Sequence, residues 1–333
     1  MINRIWSGKN KLYWLLTPFS LLYGLIVSIR RNCYRLGLFK SWRAPIPVIV
    51  VGNLSVGGNG KTPLVIYLIE QLRQKGYNVG VVSRGYGGSS RHYPVQVDDT
   101  ATAEVVGDEP FLIYQRTKVP IAVSPKRSEA IKLLLASYEL DLIITDDGLQ
   151  HYALQRDIEI VVVDGKKGFG NGWYLPAGPL RELPSRLDSV DYLIINGQTE
   201  QSYKQSYSMI LIPHNAINLK TGEQLPVSKL QSVCAIAGIG DPNRFFTMLK
   251  TLNVDIIHTV TFNDHQPYTL MQLSSLVKSK DILLMTEKDA VKCLPFAQNN
   301  WWYLPIDAQL PKEFIDNLCE KIKQLNDIQS KRN

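Results

Sequence analysis

Residues 52–63 read Gly-Asn-Leu-Ser-Val-Gly-Gly-Asn-Gly-Lys-Thr-Pro, directly after the apolar run Val48–Val51. Glycines at this spacing let backbone N–H groups curl around a phosphate, and a helix beginning at Lys61 adds its positive dipole end. Lys61 can bridge β- and γ-phosphate oxygens, and the Thr62 hydroxyl can bind Mg²⁺. Pro63 suits a first helical turn, where its missing N–H is not needed. Ser55, Val56, Gly57, Gly58, Asn59, Gly60, Lys61 and Thr62 are therefore the candidate nucleotide-binding residues. One position departs from the usual G-x-x-x-x-G-K-[ST] pattern, because Ser55 stands where glycine is expected. A phosphate loop needs an acidic partner at the end of a neighbouring strand. Leu-Ile-Ile-Thr before Asp146-Asp147-Gly148 supplies one, with its acids at the carboxyl edge beside the loop.

The elements that must hold these residues follow from the apolar pattern. Runs at Val48–Val51, Val79–Ser83, Leu142–Thr145, Ile158–Val163 and Tyr192–Ile195 alternate with helical patterns such as Pro63–Lys75 and Lys126–Tyr138. Near-continuous apolar strands alternating with helices give a parallel sheet covered on both faces. The fold class expected is α/β, a P-loop NTPase-type parallel sheet domain over 41–205. Residues 206–230 read as a two-stranded linker, 231–326 as a smaller α/β domain, and 327–333 as a frayed polar tail. Within the smaller domain, Trp301-Trp302-Tyr303 is expected to pack the core.

Residues 1–40 form a separate unit. Leu12–Ile29 holds 18 residues without a charge, flanked by Arg4, Lys9, Lys11, Arg30, Arg31 and Arg35. Residues 1–47 carry eight of the 37 basic residues and no acid, so the remaining 29 face 30 acids and the body is near neutral. A basic end on a neutral body fits an anionic membrane surface engaged through residues 1–43, not nucleic acid. The apolar stretch is too long for a secretory leader and no small-x-small site follows it. Basic residues on both flanks favour a helix lying in the interface over one that spans the bilayer, and argue against a buried core helix. Pro18 is expected to kink the helix, and Trp6, Tyr13, Trp14, Phe19 and Tyr23 suit a membrane interface. The four cysteines show no C-x-x-C spacing and read as reduced thiols.

Nine segments occur in a fixed order: GNLSVGGNGKTP, SRGYGG (83–88), GDEP (107–110), PKR (125–127), DDGLQH (146–151), LPAGPLRE (175–182), AGIGDPNRF (237–245), FNDH (262–265) and TEKDAVK (286–292). Together they resemble the tetraacyldisaccharide 4′-kinase family, from the apolar N-terminus to about residue 305. The resemblance implies transfer of the γ-phosphate of ATP, with Mg²⁺, to the 4′-hydroxyl of a tetraacylated glucosamine disaccharide 1-phosphate. It places that step of lipid A biosynthesis at the cytoplasmic face of the inner membrane. It also implies that Asp108 and His265 act as a pair that takes the hydroxyl proton. Asp146 and Asp147, joined by Glu182, would serve the metal. Arg84, Arg127 and Arg181 would balance phosphate charge, with Gln150 and His151 near the γ-phosphate. The competing reading is a membrane-tethered P-loop nucleotide hydrolase switch. Thr286-Glu287-Lys288-Asp289 superficially matches the guanine-selecting N/T-K-x-D, but with Glu287 where the stacking lysine belongs.

Overall fold

The computed structural model describes residues 5–8 and 11–330. Arg4 and Lys9 of the basic N-terminus, and 331–333 of the polar tail, lie outside the described residues. Fifteen strands are present among the described residues. In chain order they are β1 Val48–Gly52, β2 Val79–Ser83, β3 Val95–Val97, β4 Ile121–Val123, β5 Leu142–Asp146, β6 Ile158–Asp164, β7 Tyr192–Asn196, β8 Ser206–Pro213, β9 Ala216–Asn218, β10 Gln224–Leu225, β11 Val233–Ala237, β12 Ile256–Thr261, β13 Ile282–Thr286, β14 Trp301–Leu304 and β15 Ile306–Gln309. The helices are α1 Tyr13–Arg35, α2 Lys61–Gln74, α3 Ala103–Val106, α4 Asp108–Thr117, α5 Arg127–Ser137, α6 Pro242–Thr251, α7 Leu270–Ser274, α8 Glu287–Cys293 and α9 Lys312–Ser330.

The strands build two sheets. The larger runs β15-β8-β7-β6-β1-β5-β2-β4-β3, and the smaller β10-β9-β14-β13-β11-β12. In the larger, β1 lies centrally, parallel to β5 and β6, with every residue buried. That position demands apolar side chains on both faces, which is why the strand reads Val-Ile-Val-Val rather than alternating. On α2, Leu64, Val65, Leu68, Ile69 and Leu72 are fully buried, and each stabilises the packing by about 1.5–3 kcal/mol. In the smaller sheet β11 lies between parallel neighbours β12 and β13, and Trp301 and Trp302 are buried as expected.

The chain does not divide as its sequence suggests. Residues 206–213, read as half of a linker ribbon, form β8, which pairs parallel with β7 and antiparallel with β15. Only Met209 of β8 is fully buried, so its apolar content looks the same in a ribbon as near a sheet edge. Residues 216–225 make the expected two-stranded ribbon, attached to β14 of the smaller sheet. The chain then returns: β15 and α9, assigned by sequence to the smaller domain, lie on the larger sheet. Phe314, Ile315, Leu318 and Ile322 of α9 join the core beneath α2. Their spacing of one, three and four residues makes a helical stripe, and α9 continues to Ser330 where fraying was expected from 327.

The N-terminal helix α1 has 23 residues, about 34 Å at 1.5 Å per residue. It runs through Pro18. The carbonyl that Pro18 cannot serve, that of Trp14, accepts instead from the Thr17 hydroxyl at 2.6 Å. Of its side chains only Ser20 and Gly24 are buried. Ser20 donates to the Tyr174 carbonyl at 2.6 Å, and a Cβ on Gly24 would fall 2.5 Å from the Tyr174 ring. Glycine is needed there for close approach. Trp14, Leu15, Phe19, Leu21, Leu22, Leu25, Ile26 and Ile29 are 53–72% exposed. A contiguous apolar face of that extent marks an interaction surface, and the helix is long and apolar enough to cross a membrane.

Candidate active site

The carboxyl ends of both sheets face one cavity of about 1220 Å³. From the larger sheet come the loop after β1 (56–60), Arg84 after β2, Arg127 beyond β4, Asp146 and Asp147 at β5, and Asn196 at β7. From the smaller come Gly240 and Arg244 after β11, His265 after β12, and Thr286 and Lys288 at β13. Tyr23 and Arg30 of α1 close a further side. Sites of this kind form outside the carboxyl ends of parallel strands because the loops there are free to vary.

The glycine loop is held in shape by its own polar groups. Gly60 precedes α2 with φ +92°, and a Cβ would overlap the Asn196 side-chain nitrogen. That nitrogen donates to the Asn59 carbonyl at 2.9 Å. The serine at position 55 now has a reason: its buried hydroxyl accepts from Asn59 Nδ2 at 3.0 Å and ties the loop across its width. Ser55 does not line the cavity, whereas Val56 through Thr62 do. The smaller sheet reaches over the loop: a Cβ on Gly240 would lie 2.5 Å from Gly58 N.

Asp147 is clamped by Arg181 at 2.9 and 3.1 Å, and Lys61 Nζ lies 3.6 Å away. Burial would raise its carboxyl, but Lys61 and Arg181 hold it below the ordinary value. Its neighbour behaves oppositely. Asp146 is buried, neither oxygen has a hydrogen-bond partner, and burial, with Glu109 and Asp147 nearby, pushes it up to about 7. An orphaned carboxylate beside a phosphate loop is the donor chemistry that a hard divalent cation takes. Thr62 and Asp147 line the same space. Among the described residues no group of three or more His, Cys, Asp or Glu could hold a metal alone.

Glu182, expected in the metal shell, is placed elsewhere. It is buried away from the cavity, its oxygens accepting from Gln150 at 2.8 Å and Tyr152 at 2.5 Å, with Arg186 at 3.5 Å. Both oxygens already accept hydrogen bonds, and neither lines the cavity. Its role is to hold Gln150, which also donates to the Asn53 carbonyl. Arg84, Arg127, Gln150, His151 and Arg181 all line the cavity. Arg127 is 4% exposed with Nε unpartnered, and burial, with Arg84 nearby, lowers it to about 10. His151 is pushed down to about 4 by burial and by Arg127, so it is neutral at physiological pH. A crowd of cations that repel one another is a site built for an anion.

On the opposite wall His265 Nδ1 lies 2.9 Å from Asp108 Oδ1. Burial would raise Asp108, but the His265 hydrogen bond and the Lys288 charge bring it below the usual carboxylate range. For His265 burial opposes protonation, yet the bond to Asp108 raises it. His265 lines the cavity and Asp108 sits directly behind it, 4% exposed. Lys288, Glu109, Asn196 and Arg244 complete the site without having been singled out. Asn196 ends β7 and Lys288 follows two residues after β13, both at the carboxyl edge, the same rule that picked out Asp146. Arg244 instead needed the fold, since it bridges from α6 to Asp164 at 3.3 Å.

The guanine-selecting reading of 286–289 fails on geometry. Asp289 is fully buried and accepts from Gly238 N at 2.9 Å, Tyr268 Oη at 2.8 Å and Thr286 Oγ1 at 2.7 Å. It is a structural cap, closed to a base.

The chain resembles a solved structure, LpxK from Aquifex aeolicus described as an "apo" form in complex with ATP. The identity is 30%, the TM-score 0.78, and the match covers 94% of this chain and 99% of that one. A family profile described as LpxK, tetraacyldisaccharide-1-P 4′-kinase, matches residues 12–323. With that profile spanning both sheets, the whole cavity and all of α1, the chain belongs to the tetraacyldisaccharide-1-P 4′-kinase family.

Proposed function

We propose that this kinase moves the γ-phosphate of ATP to the 4′-hydroxyl of a tetraacylated glucosamine disaccharide 1-phosphate, at the cytoplasmic face of the inner membrane. One observation carries the reading. A single cavity holds the phosphate loop with Lys61 and Asp146 on one wall and His265, backed by Asp108, on the other, with α1 at its side. The ATP bound to the Aquifex relative supports the choice of nucleotide.

The amides of 57–60 and the start of α2 would cradle the triphosphate, with Lys61 across the β- and γ-phosphates. Asp146 and Thr62 would hold Mg²⁺, whose contribution is to neutralise charge on the phosphate oxygens. Arg127 and Arg84 add fixed positive charge where the transferring group becomes most anionic. A sugar hydroxyl is a poor nucleophile, and the Asp108–His265 pair takes its proton as the new P–O bond forms. Closure of the smaller sheet over Gly58 excludes water, which would otherwise compete as acceptor. The basic segment 1–43 and the apolar face of α1 would set the enzyme on an anionic bilayer, where the acyl chains already reside.

The test uses purified protein, Mg²⁺, γ-labelled ATP and the disaccharide 1-phosphate in detergent micelles. Label is expected on the 4′-oxygen and only when lipid is present. Label released solely as inorganic phosphate, at a rate indifferent to lipid, would replace this reading with the nucleotide hydrolase switch.

A further inference from the structure

Gln150 lies in the turn after β5 and lines the cavity. Its side-chain nitrogen carries two hydrogens, and both are spent. One goes to the Asn53 carbonyl at 3.1 Å, just beyond β1, and the other to Glu182 Oε1 at 2.8 Å. The opposite end of the amide meets a donor: Arg181 Nη1 is 3.5 Å from Gln150 Oε1. The same guanidinium nitrogen clamps Asp147.

A carboxamide is nearly symmetrical in shape and strongly asymmetrical in polarity. Turned over, Gln150 would set its oxygen against the Asn53 carbonyl and the Glu182 carboxylate, and its nitrogen against the Arg181 guanidinium. Two hydrogen bonds would be lost and acceptor would face acceptor. Glu182 cannot turn to follow. Its other oxygen accepts from the Tyr152 hydroxyl at 2.5 Å and lies 3.5 Å from Arg186 Nε. Arg186 is in turn held by Glu159 at 2.5 Å. Glu182 and Arg186 are 3% and 4% exposed, so no solvent stands ready to replace these partners. The one polar atom that Gln150 has left to offer the cavity is therefore its carbonyl oxygen.

We propose that Gln150 is a specificity-determining residue that accepts a hydrogen bond from a hydroxyl of the acceptor sugar, and that Glu182 is the positioning residue that keeps its oxygen available to the cavity. The proposal rests on the kinase reading above and names a group that separates the alcohol from the phosphates beside it. Phosphate oxygens are acceptors, as is the Gln150 oxygen, so the two repel. Lys61, Arg84, Arg127 and Arg181 line the same cavity and bring only donors. The anion is thereby confined to those cations, and a hydroxyl is what suits Gln150. A site built to bond a substrate hydroxyl also rejects a ligand that lacks it, because the acceptor is then left unpaired. The sequence reading set Gln150 near the γ-phosphate; the polarity of its amide turns that expectation toward the alcohol.

The kinase assay in detergent micelles, with lipid and ATP varied separately, tests both halves. Gln150→Met removes the oxygen at similar length and should lower kcat/KM for lipid at least tenfold, with KM for ATP unchanged. Glu182→Gln is isosteric, but Tyr152 and Arg186 claim its oxygen and its amide nitrogen then faces Gln150, which is no longer held in one orientation. This variant should show a similar fall in kcat/KM for lipid, and adding Gln150→Met to it should cost nothing further. Losses that multiply in the double variant overturn the positioning role. A Gln150→Met loss that falls on KM for ATP, or on the Mg²⁺ concentration required, with kcat/KM for lipid unmoved, overturns the sugar contact and gives the oxygen to the nucleotide or to metal-bound water. Should Glu182→Gln not fold, solvent exchange of the Gln150 side-chain amide hydrogens in the unaltered protein decides the orientation: slow exchange supports it and rapid exchange overturns it. If the unaltered enzyme labels no lipid, the kinase reading fails while the exchange measurement still reports which way the amide is held.

Discussion

Replacing Asp146 by asparagine should make the metal-free protein more stable while removing its activity. The carboxyl lies fully buried with both oxygens unpartnered, and burial lifts it from 3.8 to about 7. Below pH 3.8 the folded and unfolded chains both hold the proton, and there is no penalty. Between pH 3.8 and about 7 the unfolded chain gives it up while the folded chain keeps it, so stability drains away across that window and is level above it. A rise of roughly three units, at about 1.36 kcal/mol each, amounts to about 4 kcal/mol by pH 8. The amide that replaces the carboxylate has no partner either, which costs about 1–3 kcal/mol. The net gain is about 1–3 kcal/mol. With an unfolding entropy of about 2.1 cal/mol/K per residue over a chain of this length, that is a rise in Tm of about 2–4 °C. The assay is thermal melting in EDTA at pH 8 and again near pH 4, where the gap should close or reverse. Added Mg²⁺ should stabilise the parent and not Asp146→Asn. A variant that melts below the parent at pH 8 in EDTA, or a gap that ignores pH, would refute the reasoning that this carboxylate is held charged at a cost until a cation arrives.

Further outcomes follow from other parts of the site. Asp108→Ala and His265→Ala should each lower kcat by about 10²–10⁴-fold with little change in ATP affinity by calorimetry; an equal loss of ATP binding would place them in the nucleotide site instead. Gly60→Ala puts a Cβ into Asn196 at φ +92°, and ATP affinity should fall at least tenfold by titration calorimetry. Arg116 pairs with Glu287 at 2.9 Å and with Asp307; Arg116→Ala leaves the 9%-exposed Glu287 side chain unpaired and should cost about 3–5 kcal/mol in denaturant unfolding. Leu22→Glu with Leu25→Glu replaces two side chains already more than half exposed, so melting should be unchanged. Cosedimentation with vesicles containing anionic lipid should meanwhile drop at least tenfold.

What the chain discloses about itself depends on range. The loop from Gly52 to Thr62 and the strand ending at Asp146 were legible because each is a local pattern, apolar strand then functional turn. The pairing of Asp108 with His265 was reached only through family resemblance. They are 157 positions apart and meet only because two sheets point their carboxyl ends at one space. Glu182 misled because a conspicuous acid beside an arginine says nothing about which way its oxygens turn; Tyr152 and Gln150 claim them, and neither is near in sequence. Strand β8 and helix α9 were misassigned for a related reason. The strand at β8 was read as a strand and the helix at α9 was not read at all, but strand order is a long-range property, and only the pairing of 306–309 with 210–213 reveals the return. Ser55 stood out as a departure, and the hydrogen bond from Asn59 that explains it could not be inferred from spacing.

That return has a mechanical consequence. The chain leaves the larger sheet after Pro213 and re-enters it at Ile306, and those two residues are register partners on adjacent antiparallel strands. Everything between them hangs from two pins set side by side. Two pins side by side favour a swing about one axis over a twist or a slide, and such a swing would carry Gly240 toward or away from the glycine loop. His265 and Lys288 lie on the same side of those pins, so a swing would move both together relative to Asp108 and Glu109.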